Sequence, residues 1–478
     1  MTHSTLPPLT LTEALAAFVA EPTFASHEKA ACDIAKTGFM DTIATMLAGQ
    51  QEPVVRIVQA HLGYTGVSHL PAEAPVVPFS GAMMPAAQAA CINAVAAHAL
   101  DFDDVAMSAH TSTVLVPAIL AEGYLLNVSG QQALQAYVVG YEVWAELFAR
   151  EPDQYHLKGW HPTGVFGSVA AAAAVACLHR LPQAQTRHAL AIAASLASGL
   201  VANFGTMTKP FHAGRAAASG IEAVRLAKLG MTAAPDVFEH PAGYLNALSP
   251  AGRADRTRPA DQLGKTLRIL ASGLSIKRYP VCYSGHRVID GVLAIAEREN
   301  LQIAQIRCVR VTIGPAQESM LRNHLPQTGL EAKFSAEFAV AAALVARQVG
   351  LAQLNDSFVA DDRVRGLMGK VVIDITLRTC PIDPAFSYAD RVVIELLDGR
   401  SFDSGDIRFA IGNAMLPIDA AGLRQKFMDC IATGMASQTV PSTSTSTSTS
   451  TSSSIDGAAL YERIAGLEGL PSLRQLFT

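Results

Sequence analysis

Apolar residues recur at helical spacing over roughly the first 268 positions of the chain. Ala, Leu and Glu dominate this part, helix starts are marked by Ser, Thr or Pro, and helix stops by Gly or Pro. The clearest segments are 26–49, 164–181 and 212–230. Thr10 with Glu13 has the spacing of a capping box and predicts the start of the first helix. The pattern therefore predicts an all-helical domain.

The pattern changes at about residue 269, where β-branched residues begin to alternate with polar ones. Alternation of this kind predicts half-buried strands, here at 308–315, 370–378 and 391–404. Asp398-Gly399 predicts a hairpin turn at the end of this series. An Ala-rich segment at 333–350 predicts a helix between the first two strands. Residues 269–408 therefore read as a smaller α+β domain.

Helical spacing returns after about residue 409 and is interrupted by an alternating Ser/Thr tract at 441–454. Such a tract can bury almost no apolar surface, so we expect a disordered linker there. The apolar spacing of 459–477 predicts that the chain then docks back onto the helical domain. The expected fold is mostly α: residues 1–268 and 409–478 form one large helical domain, and 269–408 form an inserted lid.

Composition excludes several classes of function. The 478 residues carry a formal net charge of −5 and contain no run of Lys or Arg, which argues against nucleic-acid and membrane partners. The seven cysteines form no Cys-x-x-Cys pair and fit free thiols in a cytoplasmic protein. No phosphate-binding glycine loop, nucleophile elbow or zinc-protease motif is present, so nucleotide, flavin and zinc-protease chemistry are not expected.

The stretch HALDFDDVAMSAHTS, residues 98–112, concentrates acidic residues in a chain of which only 16% is charged. The spacing predicts that Asp101 shares a helix face with His98 and that Asp103 and Asp104 lie where this helix ends. Carboxylates there oppose the helix dipole, which favours a functional role over a solvated helix end. A magnesium site is the alternative, but no second acidic motif accompanies this one, so we expect no metal.

Two further motifs combine histidine with cations. His161 precedes Pro162 at the start of a small-residue helix, where a histidine can move protons or simply pack. Lys209, His212 and Arg215 lie at the start of the next long helix, and the two cations suit an anionic substrate. The alternative is that Lys209 caps a helix and Arg215 faces solvent.

A last group of candidate residues lies where the helical domain passes into the lid. Domain boundaries often hold ligand clefts. Cys282 has no triad setting and is expected to line such a cleft. The candidates are Lys277, Arg278, Tyr279, Cys282 and His286.

Taken in order, HALDFDD, GWHPTGVFG, TKPFHAGRAAASGIEA and IKRYPVCYSGH resemble the MmgE/PrpD family, and DTIATMLAG is similar to its N-terminal signature. The resemblance covers about residues 10–430. It implies a helical domain built from both chain ends, an inserted α+β lid, a homodimer, and catalysis without an organic cofactor or, generally, a metal. Members include 2-methylcitrate dehydratase, cis-aconitate decarboxylase and iminodisuccinate epimerase.

The resemblance also implies which residues act. The family's active-site positions match Asp101, His110, His161, Lys209 and His212, and its tyrosine-proline loop contributes Cys282 and His286. We expect His161 to act as acid or base and Asp101 to orient it or to act as a second acid–base group. Carboxylate clamps are expected at Lys209 and Arg215, and further substrate contacts are expected from Asp104, Lys277, Tyr279, Cys282 and His286.

Three positions depart from the pattern of the members that decarboxylate or dehydrate tricarboxylates. Val105 stands where they often carry Thr, His110 is followed by Thr111 instead of Pro, and Cys282 stands at a decarboxylase histidine. These departures argue against a simple carry-over of the decarboxylase substrate. The leading expectation is a hydro-lyase for a small di- or tricarboxylate such as 2-methylcitrate. The alternatives are an epimerase of a small dicarboxylate, a cis-aconitate decarboxylase-like lyase and a silent carboxylate-binding protein.

Overall fold

The computed structural model describes residues 9–24, 27–63, 74–75, 83–383, 385–436 and 455–477. The Ser/Thr tract expected to be a linker lies outside the described residues. Helices dominate the part before the lid. They are α1 (Leu11–Ala20), α2 (Glu28–Gly49), α3 (Pro53–His61), α4 (Ala86–Ala99), α5 (Ser112–Leu126), α6 (Gly130–Phe148), α7 (Pro162–Leu178), α8 (Gln183–Ser195), α9 (Thr208–Lys228), α10 (Tyr244–Leu248) and α11 (Arg268–Ser272).

Small residues let the central helices α4, α7 and α9 pack closely. A Cβ added to Gly220 of α9 would lie 2.4 Å from the Cβ of Ala171 on α7, so only glycine fits at this crossing. The capping box at the start of α1 is confirmed, because Thr10 Oγ1 accepts from the amide of Glu13 and the Glu13 carboxylate accepts from the amide of Thr10. Among the described residues, no helix combines the length and apolarity that crossing a membrane requires.

The lid contains a four-stranded sheet in the order β4-β3-β5-β6. β3 pairs in parallel with β4 and antiparallel with β5, and Gly399, at a φ of 91°, occupies the predicted turn between β5 and β6. The elements are α12 (His286–Arg298), β3 (Ile306–Ile313), α13 (Pro315–Met320), α14 (Gly329–Ala332), α15 (Ala336–Ala346), α16 (Asp356–Val359), α17 (Asp362–Met368), β4 (Val371–Ile375), β5 (Arg391–Leu396) and β6 (Ser401–Asp403). A separate two-stranded ribbon joins β1 (Ala74–Pro75) and β2 (Met83–Met84), numbered ahead of these in chain order.

Two separate apolar cores underlie this architecture. After the lid, α18 (Ala420–Ala436) and α19 (Gly457–Ala465) return to the helical core, where Phe427 and Leu460 are buried. The expected fold, a helical domain built from both chain ends with an inserted α+β lid, is therefore confirmed. Before the lid, Ile276 is the last residue of the first core, and apart from Phe204 the second core begins at Tyr279. The chain therefore crosses between the cores near residue 277. The sequence pattern placed this crossing at residue 268. The helical domain extends further than that because α11 still packs on α2 and α6.

Candidate functional site

The candidate catalytic cavity is a small space of about 50 Å³ between the helical domain and the lid. The helical domain contributes the loop between α4 and α5, here called the acidic loop (residues 100–111), and the starts of α7 and α9. The lid contributes the 282–284 turn and apolar side chains. The lining includes Asp101, Val105, Ser108, His110, His156, His161, Phe204, Lys209, Lys277, Cys282, Met320 and Phe334.

Asp101 lies at the centre of the charges in this cavity. The helix ends at Ala99, before the point expected from the sequence, and Asp101 has a left-handed backbone with a φ of 52°. Its Oδ1 lies 2.5 Å from Nζ of Lys209 and 3.1 Å from Nζ of Lys277. Burial alone would raise the pKa of Asp101, but the two ammonium groups lower it below its usual range. Asp101 is therefore ionised and holds both lysines in place.

Asp103 lies beside two histidines and accepts a hydrogen bond from His98. Nδ1 of His98 lies 3.0 Å from both carboxylate oxygens of Asp103, and Nδ1 of His110 lies 3.0 Å from one of them. His98 thus contacts Asp103, not Asp101 as helical spacing had predicted, because the helix unwinds after Ala99. Burial lowers the pKa of His98 to about 3 and also lowers the pKa of His110. Both imidazoles are therefore neutral at physiological pH and stand beside an ionised Asp103.

His161 is the N-cap of α7, as expected from the Pro162 that follows it. Its Nδ1 lies 3.0 Å from Nδ1 of His212, and its ring packs edge-on against Phe204 at a centroid distance of 4.8 Å. Burial lowers the pKa of His161 well below its usual range and that of His212 to about 4. His212 is outside the cavity lining, so it reaches the cavity only through His161.

The lid closes the cavity with mostly apolar groups. Phe334 of the lid and Phe204 cover Lys209 together, each with its ring centroid 5.3 Å from the ammonium and the two centroids 6.1 Å apart. This contact stabilises a buried cation without neutralising it. Burial raises the pKa of the Cys282 thiol, which therefore stays protonated. Cys282 lines the cavity, as expected from the sequence.

Four expected substrate contacts lie away from the cavity lining. Arg215 has a half-exposed side chain whose nearest carboxylate, on Glu222, is 3.8 Å away. Tyr279 donates to Asp290 in the lid core, and His286 is buried beside the carbonyl of Val281. Asp104 points into the helical core, where its carboxylate accepts from Ser112. These four residues stabilise the walls of the site or lie outside it.

Two lysines missed in the sequence hold the acidic loop from behind. Lys333 of the lid donates to the carbonyl of Ala99 at 3.0 Å, and Lys426 of α18 donates to the carbonyl of Phe102 at 2.7 Å. Lys277 donates in the same way to the carbonyl of Asp101 at 2.7 Å. With Lys209, the basic partners of the acidic loop thus come from four distant segments. No local pattern marks Lys333 or Lys426, since each belongs to an otherwise ordinary amphipathic segment.

His98, Asp101, Asp103 and His110 place nitrogen and carboxylate atoms within 4.8 Å of one another, and these donor types could hold a metal ion. However, the Lys209 ammonium lies 2.5 Å from the Asp101 oxygen that such an ion would need. A metal would have to displace this ammonium and remain beside Lys277. The donor set therefore fits a divalent cation poorly, and the lysines supply the positive charge instead.

A larger entrance cavity of about 450 Å³ adjoins the catalytic cavity and shares Val105, Ser108, His156, Tyr283 and Phe386 with it. Ser108 donates to the carboxylate of Asp383 in the lid, at 3.1 and 3.0 Å from its two oxygens. This contact joins the acidic loop to the lid at the boundary of the two cavities. His156 was not singled out in the sequence, where it lies in a loop without a motif.

The chain matches models of two domains of one family. Residues 13–257 match the MmgE/PrpD N-terminal domain and residues 279–443 the MmgE/PrpD C-terminal domain. The cis-aconitate decarboxylase of Homo sapiens is 30% identical over 375 residues, which cover 75% of each chain. That of Mus musculus is 29% identical over 75% of this chain and 74% of its own. A cis-aconitate decarboxylase of Aspergillus terreus is 26% identical over 67% of this chain and 69% of its own.

These relatives are named as lyases, and the expectation of an enzyme of the lyase type is confirmed at this level. The two domain matches follow each other along the chain, and the human relative is 30% identical over three quarters of its length. The resemblance expected from the four motifs is therefore confirmed, and the chain belongs to the MmgE/PrpD family.

Proposed function

We propose that the protein is a cofactor-independent lyase for a small tricarboxylate, and that decarboxylation of cis-aconitate is its reaction. One observation carries the proposal. Two buried ammonium groups, of Lys209 and Lys277, flank Asp101 in a cavity whose other polar walls include the neutral imidazoles of His110 and His161. Buried cations bind carboxylates strongly, and neutral imidazoles can exchange protons. The names of the three relatives support this choice of substrate.

The charges of the site favour a substrate with several carboxylates. Lys209 and Lys277 together carry two positive charges, of which Asp101 neutralises one. Asp103 is also ionised but lies behind the histidines, outside the cavity lining, so the two ammonium groups are the charges that a bound carboxylate meets. The Oδ2 of Asp101 has no hydrogen-bond partner among the described residues, so it is available to a substrate hydroxyl or water. The catalytic cavity holds only a few water molecules at about 10–15 Å³ each, so a tricarboxylate also extends into the entrance cavity.

Decarboxylation needs an electron sink and one proton. The bond between the methylene carbon and its carboxylate breaks and releases CO₂, and its electron pair forms a new double bond to the central carbon. The electron pair of the former double bond moves to the outer vinylic carbon, which takes the proton. Lys209 and Lys277 hold the remaining carboxylates and stabilise the charge that develops there.

We assign His161 as the proton donor. Its Nδ1 is held by His212, which leaves Nε2 for the substrate. The imidazole is neutral in the empty site because burial lowers its pKa. A bound trianion raises that pKa, so the histidine takes up a proton as the substrate binds and returns it to carbon. Asp101 orients the two lysines, and His110 is the second candidate donor.

A hydro-lyase is the second candidate, and one lining residue favours it. Cys282 offers a neutral thiol where the decarboxylase pattern has His. In this reaction a base removes the proton next to a carboxylate, and an acid protonates the departing hydroxyl. The same His161 and Lys209 would serve both steps, with 2-methylcitrate or citrate as substrate.

The test incubates the full chain with cis-aconitate, citrate and 2-methylcitrate in separate reactions. CO₂ release with a new methylene signal in the proton spectrum is expected from cis-aconitate, and H161Q should abolish it while R215Q leaves it unchanged. Enoate absorbance appearing only from the hydroxylated substrates would favour the hydro-lyase. Deuterium uptake from heavy water without net product would indicate an epimerase, and folded protein that turns over none of them contradicts the proposal.

A further inference from the structure

A second large pocket, of about 510 Å³, adjoins the acidic loop but has no lining residue in common with the catalytic cavity among the described residues. We call it the Lys333 pocket. Its walls come from the starts of α3 and α9, the end of α4 and the α14 region of the lid. The proposed reaction does not use the Lys333 pocket. The pocket is present whichever reaction takes place in the catalytic cavity.

The pocket contains a buried cation without a carboxylate partner. Lys333 lines it and is 5% exposed. Its ammonium donates to the carbonyl of Ala99 at 3.0 Å, and no carboxylate of the described residues forms an ion pair with it. By contrast, the other buried lysines of the loop, Lys209, Lys277 and Lys426, each have a carboxylate within 3.1 Å. Burial lowers the pKa of Lys333, and the charge of Glu52, in the same lining, raises it without forming an ion pair. A desolvated ammonium with no carboxylate in contact is a binding site for one.

The other lining residues indicate the chemical character of the rest of the ligand. They are mostly aliphatic, with Val54, Leu100, Leu330 and Leu354 among them. The two further charged residues of the lining, Glu52 and Arg56, have opposite signs and cancel. One buried cation in an apolar pocket matches one anionic group on a hydrocarbon body. We propose that the Lys333 pocket binds a small aliphatic monocarboxylate, which pairs its carboxylate with Lys333.

This ligand would act on the catalytic cavity through short links. The ammonium of Lys333 holds the carbonyl of Ala99, two residues before Asp101, and the carbonyl of Lys333 accepts from the amide of Cys282 at 2.8 Å. The next residue, Phe334, covers the ammonium of Lys209. A carboxylate that draws Lys333 away from Ala99 releases the base of the acidic loop. The monocarboxylate is therefore an effector, and its affinity and that of the substrate are reciprocally linked.

The test is calorimetric titration of the full chain with hexanoate, with the neutral isostere hexanamide in parallel. Hexanoate should bind, and hexanamide should bind at least ten times more weakly. K333M keeps the aliphatic stem and removes the charge, so it should weaken hexanoate binding at least tenfold. The matched control is K29M, because Lys29 is a highly exposed lysine of α2. The K29M variant should bind hexanoate with the same affinity as the unmodified chain.

Two further variants locate the ligand and guard against a folding defect in K333M. L330W fills the pocket from a half-buried position and should abolish binding with the charge of Lys333 intact. K209M removes a cation of the catalytic cavity and should leave hexanoate binding unchanged. No binding to the unmodified chain, or binding that K209M abolishes and L330W spares, overturns the proposal. Because binding is read directly, these outcomes are independent of whether cis-aconitate is turned over.

Discussion

Asp101 and Asp104 lie three residues apart in the acidic loop, and both are buried, but their surroundings differ in charge. Asp101 faces the catalytic cavity, where Lys209 and Lys277 hold its pKa below the usual range. Asp104 faces the helical core, where burial and the neighbouring Asp41 raise its pKa well above that range. Of the two neighbouring carboxyls, Asp41 forms the ion pair, because its Oδ1 lies 2.6 Å from Nζ of Lys426. Asp41 is therefore ionised, and Asp104 carries the proton. One loop thus holds a charged and a neutral aspartate.

Burial alone therefore does not decide the ionisation of these two carboxyls. Desolvation is the largest contribution at both positions, and it acts in the same direction. The outcome depends on whether the next charged groups are cations or another carboxylate. At the cavity end, the ionised Asp101 maintains two cations for an anionic substrate. At the core end, the neutral Asp104 and the hydroxyls of Ser112 and Tyr137 form a hydrogen-bonded support for the loop.

Replacing each aspartate by asparagine tests the opposite charge states of Asp101 and Asp104. D101N leaves Lys209 and Lys277 buried without a carboxylate, which we expect to lower the free energy of unfolding by about 3–5 kcal/mol. D104N resembles the protonated acid and should change it by less than about 1 kcal/mol. Urea denaturation at pH 7 measures both. Equal losses in the two variants would contradict the assignment of opposite charge states.

Two variants of α9, each of which removes one cation, test by their enzyme activity what the cavity cation contributes. K209M removes an ammonium that stabilises the developing charge, so we expect kcat/KM to fall about 10²–10³-fold. R215M removes an equal charge from a half-exposed side chain of the same helix and should leave kcat/KM within a factor of about two. The measurement is the initial rate on the substrate identified above. A similar loss in both variants would mean that overall charge, and not the cavity, attracts the substrate.

The buried histidines and the buried Asp104 should change the stability of the fold in opposite directions as the pH falls. Burial lowers the pKa of His98 and His286 to about 3 and that of His156 and His212 to about 4. The unfolded chain therefore binds more protons below pH about 6.5, and each histidine lowers stability by about 1.4 kcal/mol per pH unit as the pH falls towards 4. Asp104, whose folded pKa is raised, binds its proton in the folded state and opposes this trend.

Between pH 6.5 and 4 the buried histidines make stability fall as the pH falls. The buried carboxyls with a raised pKa act against that fall, and they are Asp41, Asp104, Glu142, Asp290, Asp383 and Asp390. H286Q, away from the catalytic cavity, should reduce the slope by about 1.4 kcal/mol per pH unit. D104N should make the fall steeper, since it removes the opposing group. Denaturant titrations at half-unit intervals of pH measure the slope, and a slope unchanged in H286Q would show that this histidine is not neutral in the folded protein.

The helices and the lid were accessible to sequence reasoning because their signals are local. The capping box of Thr10 and the proline after His161 mark helix starts, and Asp398-Gly399 marks a turn. The end of α4 was not accessible in this way. Helical spacing predicted that Asp101 continues the helix, but the ammonium of Lys277 holds its carbonyl and its backbone is left-handed. A tertiary contact from 176 residues away therefore overrides the local pattern.

The site itself was predictable where a motif carries its residues. Asp101, His110, His161, Lys209, Lys277 and Cys282 meet in one cavity, and each lies in a quoted motif. Lys333 and Lys426 were missed because their roles arise from contacts with distant backbone carbonyls. Arg215 was included because it follows Lys209 in sequence, but a helix turns about 100° per residue, which places it on another face. The homodimer and the cytoplasmic location stay predictions.

The smallest expected effect concerns Val105, which follows Asp104 but turns its side chain to the cavity side of the loop. V105T adds one hydroxyl beside Ser108 and Asp101 with little change in volume. A hydrogen bond to the substrate contributes about 0.5–1.5 kcal/mol, so we expect kcat/KM for cis-aconitate to rise about 2- to 10-fold. V105A is the matched control, because it enlarges the cavity without adding a donor, and it should not raise the rate. If V105T instead turns over 2-methylcitrate in preference to cis-aconitate when both are present, the native Val105 is the residue that favours cis-aconitate. The absence of Thr at this position would then support the decarboxylase reaction.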